Sequence, residues 1–292
     1  MNKRVLGIDE NGLGPVMGPL VVTGTLLRQS GEGWFEDISD SKSFFPARSA
    51  DNFSKMEETV ISIFHLWKKE FPSSPVQILH EFCGKQDCLS GAGICLESLS
   101  ESFTWASPEK AKRRCGAFSD WAVKNSVSIE SIKSSCVCTR RINDFVGKGD
   151  TKLLLDFLTY CGIVRDVPDK KGLEVHAGKI GGLKFYARYL RYGLPDFRVE
   201  VIEEKEELSS YTMKEGSTGF HIGFIMDVEK KSFPAALSSI SGKYVREVIM
   251  EGIRKKLGIK EDISGYRDGR TKRCIASLSF EKFPVDCILR RK

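Results

Sequence analysis

Residues 5–15 read VLGIDENGLGP, and this stretch decides how the rest of the chain is interpreted. A short apolar strand ends abruptly in two adjacent acids, Asp9 and Glu10, and a loop rich in glycine and proline follows. Acids after a short strand can be solvated turn residues, and Asn11-Gly12 is a common hairpin turn. The alternative is that the acids hold a hard divalent cation, while the glycines let the backbone approach a ligand closely.

The composition indicates a soluble globular protein. The 292 residues are 41% hydrophobic, which is enough to bury a full core. No apolar run approaches the roughly 20 residues that cross a membrane, and the chain passes from Lys3-Arg4 into a strand rather than a signal peptide. We therefore expect a cytoplasmic protein that has no membrane partner. The net charge of +6 permits a polyanionic partner without requiring one.

The cysteines favour a reducing compartment. There are nine, an odd number, and they form no Cys-x-x-Cys unit. Cys83, Cys88, Cys95 and the Cys136/Cys138 pair could be drawn as a zinc site, but the spacing fits no common pattern and no histidine lies beside them. We expect buried free thiols instead.

Apolar periodicity predicts an alternation of strands and helices. Residues 5–10 and 19–27 are expected to pair as a hairpin, and residues 71–106 are irregular. Helical spacing occurs at about 50–69, 108–124, 151–160 and 233–257, and strand-like spacing at 127–137, 172–176, 198–202 and 221–226. Because no internal repeat or low-complexity linker is present, we expect one α/β domain over 1–292, with a divergent insertion around 71–140.

Four motifs resemble those of the type 2 ribonucleases H, the ribonuclease HII group, and follow the same order. The first, GIDENGLGPVMGP at 7–19, is similar to the family's strand ending in Asp-Glu-Ala-Gly-Arg-Gly-Pro. The others are Asp40-Ser41-Lys42, then Asp227 with SSISGKYVRE at 238–247, and SGYRDGRTK at 264–272. Together they span most of the chain, although residues 71–140 match no motif.

This resemblance implies a fold and an activity. The fold would be a ribonuclease H-like mixed sheet flanked by helices, with a helical C-terminal portion. The activity would be metal-dependent hydrolysis of the RNA strand of RNA–DNA hybrids, or cleavage at ribonucleotides embedded in a duplex. Two divalent ions, Mg²⁺ or Mn²⁺, would activate water and stabilise the leaving oxyanion. The motifs imply that Asp9, Glu10 and Asp227 are metal ligands and that Lys42 and Lys243 are phosphate-binding or site-organising groups.

The resemblance also implies how a ribonucleotide is recognised. Gly12 and Gly14 match a loop whose backbone meets the 2′-hydroxyl, and Tyr266 matches a tyrosine that stacks on a sugar. The 2′-hydroxyl is the group by which a protein distinguishes RNA from DNA. Leu13 stands where the family commonly carries arginine, so a charged donor to phosphate is missing there.

The clearest departure from the family is His176, in the segment LEVHAGKIGG at 173–182. The family carries a third aspartate at the end of its central strand, and histidine takes that place here. His176 is therefore a candidate catalytic residue and metal ligand that would favour Mn²⁺. Alternatively, Glu174, about 7 Å away along the strand, supplies the carboxylate. The third alternative is a catalytically weakened relative that mainly binds hybrids. The sequence gives no signal for the oligomeric state.

Overall fold

The strands of the protein form one mixed sheet. The computed structural model describes residues 3–31, 33–35, 38, 48–84, 99–278 and 285–291. The strands are β1 (Lys3–Asn11), β2 (Leu20–Gln29), β3 (Val127–Val137), β4 (Leu173–Gly178), β5 (Arg198–Glu204), β6 (Leu208–Glu215) and β7 (Thr218–Ile225). Their order across the sheet is β3-β2-β1-β4-β7-β6-β5.

Eight α-helices accompany the sheet in these ranges. They are α1 (Ala50–Lys68), α2 (Pro75–Cys83), α3 (Pro108–Lys124), α4 (Thr139–Gly147), α5 (Lys152–Arg165), α6 (Ala187–Gly193), α7 (Phe233–Leu257) and α8 (Gly269–Ser277). Most begin at a side chain whose oxygen accepts a backbone N–H of the first turn, which satisfies a donor that the helix leaves open. These N-caps are Ser49, Ser74, Ser107, Thr151 and Asp268.

The central part of the sheet places the ends of three strands side by side. Strand β1 runs antiparallel to β2 and parallel to β4, and β4 runs parallel to β7. The carboxyl ends of β1, β4 and β7 therefore meet at one edge of the sheet, where open α/β sheets commonly bind ligands. The motif at the end of β1 is thus brought beside the ends of two other strands.

Helix α7 packs on β1 at a glycine. A Cβ built on Gly7 would lie 2.1 Å from the backbone nitrogen of Ala235, so only glycine fits this contact. The Ser238 hydroxyl donates to the Gly7 carbonyl at 2.9 Å. One apolar cluster gathers side chains of α1, α2, α3 and α7, and a second gathers those of α5 and α6 with β4 and β7.

The predicted fold class is confirmed: a mixed sheet is flanked by helices and the C-terminal portion is helical. The hairpin is confirmed, with Asp9 paired opposite Thr23. The predicted helices and strands occur with small changes at their ends. Helices α2, α4, α6 and α8 and strand β6 lie outside the predicted elements, and α2 contradicts the expectation that residues 71–106 are irregular.

The stretch 71–140 holds α2, α3 and β3, and β3 extends the sheet by pairing with β2. The single-domain organisation and the insertion stay predictions. Cys88 and Cys95 lie outside the described residues, whereas the seven cysteines inside them are free thiols. In the ranges given above, no helix is long and apolar enough to cross a membrane.

Candidate functional site

Asp9 and Glu10 stand at the end of β1 and reach towards opposite faces of the sheet. Asp9 accepts a hydrogen bond from the Ser239 side chain on α7. Glu10 Oε2 accepts a hydrogen bond from the Tyr160 hydroxyl on α5, at 2.5 Å. Because successive side chains of a strand alternate between faces, the adjacent acids are held by helices on both sides of the sheet.

The end of β4 approaches both acids because it carries no side chain there. A Cβ built on Gly178 would lie 3.0 Å from Oδ1 of Asp9, 3.4 Å from the Tyr160 hydroxyl and 3.5 Å from Oε2 of Glu10. A side chain at this position would crowd the carboxylates. Gly178 therefore leaves the space between the two strand ends to small groups.

A cavity of 710 Å³ opens beside these acids, and its acidic wall also contains Asp227 and Glu229. Glu229 lies in the 3-10 turn Val228–Lys230 and is 7% exposed. Asp227 precedes that turn in a left-handed conformation, with φ 52°, and its side chain is 46% exposed. Glu229 is therefore the deeper acid of the pair, and Asp227 lies at the rim.

Burial away from water raises the pKa values of Asp9 and Glu10. Burial raises the pKa of Asp9 well above its usual range, the charge of Glu10 raises it further, and Glu229 adds a smaller contribution. Burial also raises the pKa of Glu10, although the hydrogen bond from Tyr160 opposes this effect. Carboxylates that repel one another in this way are stabilised in their charged form by a nearby cation.

The donor chemistry fits a hard divalent cation. The acids offer only oxygen ligands, which suit Mg²⁺ and Mn²⁺. Within the part of the chain that the structure describes, no three His, Cys, Asp or Glu side chains are already arranged around a common ion position. The residues that could hold a cation are Asp9, Glu10 and Glu229, with Asp227 at the rim of the same cavity.

Another wall of the cavity carries cationic and aromatic side chains, among them Lys243, Arg246 and Tyr266. Burial lowers the pKa of Lys243 to about 8, with Glu247 opposing and Arg48 reinforcing the effect. The Arg246 guanidinium lies 5.5 Å from the centre of the Tyr266 ring, which is 46% exposed. This wall combines charges that can bind phosphate with a ring that can stack.

The glycine loop lies beside this wall. Gly12 has a φ of 93°, and a Cβ there would lie 2.5 Å from Nε of Arg246, so a side chain is excluded. A Cβ on Gly14 would lie 3.8 Å from the Tyr266 ring. Leu13 is partly buried against the core. Gly14 therefore lies beside the Tyr266 ring, and Gly12 lies beside Arg246, whose guanidinium is near the same ring.

Two later segments of the chain form hydrogen bonds with the backbone of the glycine loop. The backbone N–H groups of residues 16 and 17 donate to the Gly265 carbonyl, at 2.9 and 3.1 Å. The Arg290 guanidinium donates to the Leu13 carbonyl at 3.1 Å and to the Gly18 carbonyl at 2.9 Å. Where arginine is missing from position 13, a buried arginine from residues 285–291 therefore supports the loop backbone.

Contrary to the expectation from the family resemblance, the structure does not bring His176 to Asp9 and Glu10. Its Nδ1 lies 2.9 Å from Oγ of Ser232, and His176 lines a separate cavity of 290 Å³ together with Glu174. Glu174 is 3.5 Å from Nζ of Lys3. Both residues precede Gly178 on β4, and two positions along a strand correspond to about 7 Å. Neither His176 nor Glu174 therefore lies in the cavity beside Asp9 and Glu10.

Sequence reasoning missed two acids near the site, Glu229 and Asp156. Glu229 is two residues beyond Asp227, and its only signal is that it follows the end of β7. Asp156 is a single acid within the apolar segment LLLDFL at 153–158, inside the helix predicted at 151–160. Lys42 lies outside the described ranges, so its predicted role stays a prediction.

Comparison with known proteins points to ribonucleases. No protein-family model matches the chain. A curated ribonuclease HII from Geobacillus thermodenitrificans is 34% identical over 61 residues, a match that covers 21% of this chain and only 23% of that relative. The match therefore spans less than a quarter of either protein.

Among solved structures, a chain in the PCNA:RNase HII complex from Archaeoglobus fulgidus is 16% identical, with a TM-score of 0.48 over 99% of this chain and 96% of that one. The structure of Bst-RNase HIII in complex with Mn²⁺ is 12% identical, with a TM-score of 0.49 over 99% of this chain and 66% of that one. Over the 61 residues of the curated match, the chain is similar to a ribonuclease HII, the group that its motifs resemble.

Proposed function

We propose that the protein is a metal-dependent endoribonuclease. Its substrate would be the RNA strand of an RNA–DNA hybrid, or a ribonucleotide embedded in a duplex. The observation that carries this proposal is the 710 Å³ cavity, in which crowded carboxylates lie beside cationic side chains and an exposed tyrosine. The relatives named as ribonucleases HII and HIII support the same class of reaction.

The residues of the cavity would have different roles in such a reaction. When bound, divalent cations supply the activation of a water molecule and the stabilisation of the leaving oxyanion. Asp9 and Glu10, with the acids after β7, hold the cations. Lys243 and Arg246 bind phosphate groups of the substrate, and this positions the scissile bond against the acids. In this proposal the backbone at Gly12 and the Tyr266 ring contact the ribose.

Cleavage of defined duplexes tests the proposal. Three labelled duplexes of one sequence are compared: an RNA–DNA hybrid, a DNA duplex with one ribonucleotide, and an all-DNA duplex. We expect Mg²⁺ or Mn²⁺ to support cutting of at least one of the first two, and EDTA to abolish it. The all-DNA duplex should stay intact because it lacks the 2′-hydroxyl. The proposal fails if no cut exceeds that of an Asp9→Asn control in either metal.

A second candidate is a relative that binds hybrids without cleaving them. It is favoured by one observation, which is that β4 places Gly178 rather than a carboxylate beside Asp9 and Glu10. It predicts salt-dependent binding of the hybrid without turnover. The cleavage assay, run beside a binding assay on the same duplexes, separates the two candidates.

The lowered pKa of Lys243 leads to a prediction about pH. Its amine is charged below about pH 8 and loses its proton above that value, whereas an arginine stays charged. Hybrid affinity of the wild type should therefore decrease above pH 8, by at most about tenfold per pH unit for one proton. Lys243→Arg should show a flatter profile. Fluorescence anisotropy in EDTA between pH 7 and 9 measures both, and identical profiles would show that Lys243 does not bind phosphate.

A further inference from the structure

Asp156 is a buried acid whose carboxylate forms no hydrogen bond with the residues that the structure describes. It lies in α5, and the residue is 0% exposed. Among the atoms that the structure describes, neither carboxylate oxygen has a hydrogen-bond partner. Burying an ionised carboxylate without a partner is strongly unfavourable, and proteins rarely keep such a group without a ligand or a function for it.

The position of Asp156 relates it to the acids at the end of β1. Asp156 lies one helical turn before Tyr160, so the two side chains share a face of α5. The Tyr160 hydroxyl donates to Glu10. The charges that act on Asp156 are those of Glu10 and Asp9, and both are negative. Asp156 therefore adds a further carboxylate to the mutually repelling pair Asp9 and Glu10.

Strand β4 leaves a gap on this side of the cluster. Gly178 stands beside Asp9 and Glu10 and has no side chain to offer. The acid that β4 does carry, Glu174, is engaged with Lys3 at another cavity. Acids that complement the β1 pair therefore come from other elements: the turn after β7 provides Glu229, and α5 provides Asp156.

We propose that Asp156 helps to hold the divalent cations of this site, so that helix α5 supplies the carboxylate that strand β4 lacks. This inference rests on the proposed metal-dependent function and names a residue that the motifs do not contain. A cation near Asp9, Glu10 and Asp156 would be attracted by all three carboxylates and would compensate the burial of Asp156.

The test is metal binding without nucleic acid. Mn²⁺ is titrated into the full chain by isothermal calorimetry for the wild type and for Asp156→Asn, and Asp156→Thr is measured alongside so that the result does not depend on one replacement. We expect both variants to bind Mn²⁺ at least about tenfold more weakly. Their melting temperatures in EDTA should be equal to or above that of the wild type, because a buried charge has been removed.

Glu174→Gln is the matched control, since it neutralises an acid of β4 outside the cluster. It should bind Mn²⁺ as the wild type does. The proposal is overturned if both Asp156 variants retain wild-type Mn²⁺ affinity, which would mean that Asp156 is held as a protonated core residue. Failure of the function is a different result: if the hybrid is not cleaved but Mn²⁺ binding depends on Asp156, the endonuclease proposal falls and the cation site stands.

Discussion

Asp9→Asn is expected to lower the rate of hybrid cleavage by roughly 10³-fold, equivalent to about 4 kcal/mol of transition-state stabilisation. Asn keeps the shape of the side chain and can still bond with Ser239, but it loses the negative charge that would hold a cation. Single-turnover cleavage with saturating enzyme measures the chemical step. A loss of less than tenfold would remove Asp9 from the metal ligands.

The fold of this variant should be intact, which separates its effect from unfolding. Asp9 is destabilised in its charged form by burial and by Glu10. Removing the charge should leave the melting temperature in EDTA unchanged or higher, and the stabilisation by Mn²⁺ should decrease. Asp150→Asn, at an exposed acid, is the matched control and should change neither cleavage nor melting.

Gly7→Ala is expected to destabilise the protein by more than about 3 kcal/mol, at the upper end of what overpacking causes. The added methyl carbon would lie 2.1 Å from the backbone nitrogen of Ala235 and 2.2 Å from the carbonyl carbon of Pro234. Both contacts are with backbone, so no side chain can rotate away, and α7 must move from β1. Urea denaturation followed by circular dichroism measures the loss.

Gly116→Ala provides the comparison, because Gly116 lies within α3 and a Cβ there would meet nothing within 4 Å. This variant should be stabilised by up to about 1 kcal/mol, as alanine is the better helix former. If Gly7→Ala were as stable as Gly116→Ala, the close packing of α7 on β1 would be wrong.

The elements with a clear periodicity were predictable from the sequence. The hairpin, α3, β3 and α7 follow directly from apolar spacing and from turn or cap residues. Strand β6 was missed because its inward positions include a serine, Ser209, which hides the alternation of apolar residues. Helix α2 was missed because it has only nine residues and follows a segment rich in proline and serine.

The residues of the site were predictable only where they belong to one of the sequence motifs. Asp9 and Glu10 follow from the end of β1, and Gly12, Lys243 and Tyr266 from their motif order. His176 and Gly178 lie on the same face of β4, so the alternation of side chains does not distinguish them. They differ only in their position along the strand, and the sequence does not show which of them is level with Asp9.

Asp156 was beyond the reach of the sequence pattern for another reason. A single acid in an apolar helix can face either solvent or core, and only tertiary packing shows that this one is enclosed with Glu10. The register of the sheet and the rotation of α5 are long-range properties, and no local spacing of residues contains them.

The attachment of the glycine loop has a consequence for synthesis of the protein. The loop follows β1 near the start of the chain, yet Gly265 and Arg290 hold its backbone. A chain emerging from the ribosome can form the β1–β2 hairpin early, because its contacts are local. The final conformation of the loop must wait until the residues up to Arg290 have been made. A nascent chain is therefore expected to lack this loop conformation until Arg290 has left the ribosome.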